Sequence, residues 1–182
     1  MSRAKSAEHV HGSQSAPQAE RGKRARAAVP RSSHGEWEPH SGRPDPVVLL
    51  QEQAQDRVTE LVPIRYGRML ASPFAFFRGG ALIMAADLAE VPGSGIQVQA
   101  CGDAHLSNFG GFASPERRLM FDVNDFDETL PGPFEYDVKR MAASFMIAAR
   151  NNSFERSDAR AATGASIAAY RTQMAEFAEM RT

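Results

Sequence analysis

Three short runs between Gly102 and Asp137 carry side chains able to do chemistry. Gly102-Asp103-Ala104-His105-Leu106-Ser107-Asn108 supplies a carboxylate, an imidazole and, five residues after the carboxylate, an amide. Phe121-Asp122-Val123-Asn124-Asp125-Phe126-Asp127 supplies three carboxylates, and Glu128 adds a fourth. Gly132-Pro133-Phe134-Glu135-Tyr136-Asp137 closes on another. Phosphoryl transfer calls for this mixture: a carboxylate beside the attacking hydroxyl, and oxygen ligands to hold Mg²⁺ against phosphate groups. Carboxylates crowded as Asp122, Asp125, Asp127 and Glu128 are repel one another unless water or a cation separates them. The plainer readings are an Asx-rich turn for Asp103 and Asn108, and a solvated acidic turn for the cluster. The agreement of all three runs favours the chemical reading.

Elements flanking these runs must position them. Ile96, Val98 and Ala100 alternate with Gln97 and Gln99, which predicts a strand running into Gly102-Asp103. Residues 117–123, RRLMFDV, read as a second strand, and GGFASPE as the loop joining the two. That hairpin would return Asp122 or Asp125 to the side of Asp103 and Asn108. TLPGPFE reads as a turn, and DVKRMAASFMIAARNN as an amphipathic helix with Asp137 as its N-cap. Residues 155–181 form a further helix with Gly164 as a weak point. Upstream, residues 47–62 have helical spacing and Pro63 ends them; a break falls at Ser72-Pro73, a helix runs from Gly79 to about Glu90, and VPGSG turns. The expected fold is α/β or α+β, a small sheet holding the catalytic hairpin and flanked by helices.

The bulk of the chain sets bounds on partners. Its 182 residues suffice for one domain with a real core. Residues 1–45 carry eight Lys/Arg against five Asp/Glu and few large apolar residues, so they read as a disordered basic tail ahead of a domain over 46–182. Four of the five histidines (His9, His11, His34, His40) lie there at spacings that fit no compact ligand set. Arg21, Lys23, Arg24 and Arg26 form a basic cluster; a solvated tail explains it better than nucleic acid, since the net charge is only −1. A single cysteine, Cys101, points to a reducing compartment, and no apolar run reaches the roughly 20 residues that span a bilayer. The expectation is a cytoplasmic protein with neither a membrane nor a nucleic-acid partner.

GDAHLSNFG, FDVNDFDE and GPFEYDVKRMAAS, in that order, resemble the three motifs of the aminoglycoside phosphotransferase and choline kinase branch of kinase-like proteins. From about Asp45 onward, with RYGRMLASPFAFFRGGA at the front, the chain resembles the domain-of-unknown-function 2252 family. The kinase-like resemblance implies Asp103 as catalytic base, His105 as a brace for its loop, and Asn108 as a Mg²⁺ ligand. It implies Asp125 as the second ligand with Asp122 the alternative, and Asp137 as a support bonded to the catalytic-loop backbone. ATP or another nucleotide would be the phosphate donor, and a small-molecule or protein hydroxyl the acceptor. Cys101 stands where the kinase-like pattern has a histidine, and no glycine-rich phosphate loop or strand lysine is visible upstream. Arg78 is the nearest phosphate partner, with Arg65 and Arg68 either joining it or serving as surface arginines. Phe74, Phe76 and Phe77 read as core, and Cys101 as a buried strand-end thiol. Family members are longer, which implies a truncated member. Rival readings are a metal-dependent phosphoester hydrolase, a non-catalytic pseudokinase-like module, and an inactive fragment.

Overall fold

The computed structural model describes residues 15–180. Its elements are mixed helix and strand, with helices in the majority. Helix α1 spans Ser15–Ala28 and is followed by a 3₁₀ turn at Arg31–Gly35. Helix α2, Pro46–Ala54, opens at Asp45, whose carboxylate accepts from Val47 N at 2.7 Å and from Val48 N at 3.4 Å. These are N–H groups that the first helical turn leaves without partners.

The single helix expected over 47–62 stops at Ala54 and a second 3₁₀ turn, Thr59–Leu61, intervenes. Pro63 falls in the first turn of α3, Val62–Met69. A first-turn residue needs no N–H, so a proline opens a helix there instead of ending one. Helix α4, Pro73–Gly79, is capped by Ser72 Oγ, which accepts from Ala75 N at 3.1 Å; α5 follows over Ala81–Ala89. Leu50 of α2, Met69 of α3 and Ile83 of α5 form a small core, lined by Leu49 and Tyr66. Tyr66 keeps its ring in this cluster by donating its hydroxyl proton to Leu50 O at 3.0 Å.

Two antiparallel ladders follow. Strand β1, Gln97–Ala100, pairs with β4, Leu130–Pro133, with Ala100 opposite Leu130. Strand β2, Phe109–Ala113, pairs with β3, Leu119–Val123, with Gly110 opposite Asp122. The hairpin expected between β1 and RRLMFDV is therefore corrected twice. GGFA, read as loop, is itself a strand, and LPGP, read as turn, is the partner of β1. Arg117 N donates to Ser114 O at 2.8 Å and Ser114 N to Arg118 O at 2.9 Å, closing β2 onto β3 through a tight turn. The nearest segment in sequence is the least costly to close against. Glycine and proline hide strands from a propensity reading, and two-stranded ladders tolerate both because one edge of each strand is free.

Helix α6, Phe134–Asn151, starts ahead of Asp137, so that residue lies in the first turn and is not the N-cap. Helix α7, Arg156–Glu179, runs through Gly164 without a break and packs on α6. Ala148, Ala149 and Ala159 are buried where the two approach, small side chains allowing close backbones. Of the segment read as a disordered tail, residues 15–45 are described and hold α1 and the first 3₁₀ turn; residues 1–14 lie outside the described residues. Arg43 grips Asp87 of α5 with Nε–Oδ1 and Nη2–Oδ2 contacts of 2.6 and 2.9 Å, and its guanidinium stacks 5.5 Å from the Trp37 ring centroid. Trp37 Nε1 donates to Asp87 O at 3.4 Å. Among the described residues no helix is long and apolar enough to cross a membrane.

Leu50 is 6% exposed at the centre of the three-residue core. Leu50→Ala is expected to cost about 2–4 kcal/mol in urea unfolding, with the slope of the transition unchanged.

Candidate functional site

One polar stripe on α6 organises the loop after β1. Asp137, Arg140 and Ser144 are spaced three and four residues apart and so share a helix face. Asp137 accepts from two consecutive backbone groups, Cys101 N at 2.7 Å on Oδ2 and Gly102 N at 3.0 Å on Oδ1. Ser144 Oγ, fully buried, accepts from Leu106 N at 3.0 Å and donates to Met141 O at 2.7 Å. Arg140, 2% exposed, donates from Nε to Asp103 Oδ1 at 2.7 Å and brings Nη2 to the same oxygen. Its Nη2 also donates to Phe77 O at 2.9 Å, and its guanidinium lies 4.4 Å from the Phe77 ring centroid. The loop is thus gripped at both ends and in the middle.

Gly102 permits this course. Its φ is +80°, and a Cβ there would sit 2.1 Å from Glu128 O. Any other residue would meet both a left-handed backbone and the Glu128 carbonyl.

The expected site residues separate into two groups. Asp103, His105, Asn108 and Asp125 come together. His105 is buried with Nε2 3.5 Å from Asp103 Oδ2. Asn108, also buried, donates from Nδ2 to Asp103 O at 3.1 Å and Asp125 O at 3.3 Å, while Asn124 N donates to Asn108 O at 2.9 Å. This amide therefore ties the two acidic loops together. Its Oδ1 makes no hydrogen bond among the described residues. Asp122 stays apart: it is exposed on β3, and its Oδ1 accepts from Val123 N at 2.8 Å. Asp137 supports the loop from behind.

Asp103, His105, Ser107, Asn108 and Asp125 line one wall of a cleft of about 920 Å³; Arg57, Arg65, Arg68 and Arg78 come from the other side, with Asp56 as the one carboxylate among them. Arg65 donates from Nη2 to Gly79 O at 2.7 Å and Gln53 Oε1 at 3.0 Å, and its buried Nη1 has no partner among the described residues. Burial, and then the charge of Arg57, push the Arg65 pKa down. Positive charge is crowded here, and an anion would relieve it.

Among the described residues no three His, Cys, Asp or Glu side chains converge to hold a metal ion alone. What the acidic wall provides is Asp103, Asp125 and the amide oxygen of Asn108. That set suits Mg²⁺, which is commonly held by one or two carboxylates and completed by substrate phosphate oxygens and water. Cys101 is half-buried and burial pushes its thiol up, against a role as thiolate nucleophile. Burial holds the His105 pKa down, aided by Arg140 and Arg78 and opposed by Asp103, so the imidazole is neutral in the folded protein.

Sequence reasoning missed Arg140 and Ser144. Their signal was available: an arginine and a serine on the same face as Asp137, in a helix whose neighbouring positions are apolar. Arg140→Met is expected to cost about 2–4 kcal/mol in denaturant unfolding, because it strips the counter-charge from a part-buried carboxylate. A neutral buried histidine binds fewer protons when folded than when unfolded. The stability associated with His105 is thus complete above its ordinary value of 6.5 and falls as the pH drops below it. The wild-type melting temperature is expected to fall more between about pH 7.5 and 5.5 than that of His105→Gln; equal slopes would show that burial does not hold this imidazole neutral.

No curated protein and no solved structure matches this chain. Residues 57–182, more than half of the sequence, match a family described as an uncharacterized protein conserved in bacteria, and the chain belongs to that family, DUF2252.

Proposed function

We propose that the cleft is the site of a Mg²⁺-dependent phosphotransferase that moves a nucleotide phosphoryl group to a hydroxyl acceptor. The observation that carries this reading is the division of one cleft into an acidic-amide wall and a guanidinium wall. Asp103, fixed by Arg140 and His105, orients the acceptor hydroxyl and takes its proton as the oxygen attacks phosphorus. The bond from that phosphorus to the leaving diphosphate oxygen breaks in the same displacement. Asn108 Oδ1 and Asp125 would hold Mg²⁺, whose charge screens the phosphates. Arg78, Arg65 and Arg68 would grip phosphate oxygens, for which planar guanidinium is well shaped. Ser107 lines the cleft beside Asp103 and Asn108.

A second reading keeps the wall and replaces the acceptor by water, giving phosphoester hydrolysis. It is favoured by the construction of the positive wall from side chains on α3 and α4, which can hold a terminal phosphate without a nucleotide-shaped backbone loop.

ATP with Mg²⁺ is expected to raise the melting temperature of the wild type and not that of Asp125→Asn. Asp103→Asn is expected to keep the shift and to lower turnover by about 10²–10⁴. ATP-independent release of phosphate from p-nitrophenyl phosphate would move the assignment to hydrolysis. Absence of any Mg²⁺-dependent shift, with full activity in Asp103→Asn, would remove both.

A further inference from the structure

A second cavity, of about 400 Å³, lies on the opposite face of α6 from Asp137, Arg140 and Ser144. That size falls within the range of small-molecule sites. Its walls are Phe134 and Val138 of α6, Ile167 and Tyr170 of α7, and Ile96 ahead of β1. Val29 and the adjoining face of α1 close it, together with His34 of the 3₁₀ turn. The cover comes from residues ahead of the family match, and the floor from inside it.

Two buried polar atoms in this cavity have no partner among the described residues. Glu135 is 5% exposed; its Oε1 accepts from Ser94 N at 2.7 Å, while Oε2 accepts nothing. The second is His34 Nδ1. A buried carboxylate oxygen without a donor is costly, so Oε2 is a place where a ligand donor gains unusually much. Burial opposes the charge on Glu135, yet the Ser94 N–H and the nearby His34 outweigh it and hold the carboxyl below its usual range. Lys139 lies one turn along the helix from Glu135, and Arg26, Arg31 and Arg171 stand around the same cavity. None of these four makes an ion pair among the described residues.

We infer that this cavity binds an amphipathic anion: an apolar body against Val138, Phe134 and Ile167, an acid group at the arginines, and a hydroxyl or N–H donated to Glu135 Oε2. A cationic ligand would face four positive charges for one negative. A purely apolar one would leave the carboxylate oxygen as unpaired as before. Arg26 of α1 and Arg31 of the 3₁₀ turn both line the cavity, so the ligand also fastens that segment to the domain.

Anilinonaphthalene sulfonate has the three required features, an aryl body, a sulfonate and an anilino N–H, and reports binding by fluorescence. The full chain is expected to bind it saturably at one site, with affinity falling as salt rises, and MgATP is expected not to displace it. Ala142→Phe, which fills the cavity from α6, is expected to weaken binding at least about tenfold while the melt stays cooperative. Arg31→Ala combined with Arg171→Ala is expected to weaken binding and flatten its salt dependence, and Glu135→Gln to weaken it by removing the acceptor. If Ala142→Phe does not melt cooperatively, the double arginine variant decides alone: weakened binding supports the site, unchanged binding overturns it. No saturable binding, displacement by MgATP, or tighter binding in Glu135→Gln would each overturn the inference.

Discussion

The carboxylate of Asp137 receives two consecutive backbone N–H groups, from Cys101 and Gly102, and the geometry of the cleft follows from that pair. A loop leaving a strand has donors that the ladder no longer satisfies, and leaving them buried and unpaired is costly. Asp137 satisfies both from one rigid helix. Because α6 is continuous, Arg140 and Ser144 then arrive at fixed distances along the same loop. Asp103 is consequently held by a helix and not by its own turn. The left-handed backbone at Gly102 is what lets the chain turn beneath the Glu128 carbonyl while keeping both bonds.

The candidate site residues were legible in the sequence as residue types at fixed separations. Asp103, Asn108 and Asp125 needed only to be read as a carboxylate, an amide and a carboxylate near strand ends. Their support was less legible. Arg140 is an unremarkable residue until Asp103 is placed opposite it, since a helix pattern records which face is apolar and not which charge lies across from it. The ladders were misread because Gly110, Gly111, Pro131 and Pro133 stand where β-formers would announce a strand. The choice between Asp122 and Asp125 depended on register, and a shift of one residue reverses the face on which a side chain lies. In the N-terminal segment the composition is polar, yet Arg43 and Trp37 meet a single aspartate far away on α5. A pairing of that range leaves no local pattern.

Electrostatics in the cleft is a balance between neighbours of opposite sign that do not neutralise each other. Arg140 is committed to Asp103 and to the carbonyls ending α4, where a cation also suits the helix terminus. Arg65 is committed to carbonyl and amide oxygens, which accept hydrogen bonds but carry no full charge. The acidic wall therefore meets its counter-charge from behind, while on the basic wall only Arg57 reaches a carboxylate, Glu128 at 4.0 Å, and Asp56 also lines the cleft. Such an arrangement favours a species that presents negative charge to one side and tolerates a cation on the other.

The β2–β3 hairpin is joined to the rest of the molecule chiefly at its base, through Asn108 and the Asn124 N–H that bonds it. Its outer part exposes Leu119 and Phe121, which are 85% and 76% accessible, and the two ladders share no strand. The hairpin is in mechanical terms a lever whose fulcrum is Asn108, with Asp125 on the short arm and the Ser114–Arg117 turn on the long one. Its strands are five residues each, so the long arm reaches about 15 Å. The bonds that tie Asp103 O to Asp125 O through Asn108 Nδ2 lie at the short arm, so the two acidic loops are joined at the point of the hairpin farthest from its exposed tip.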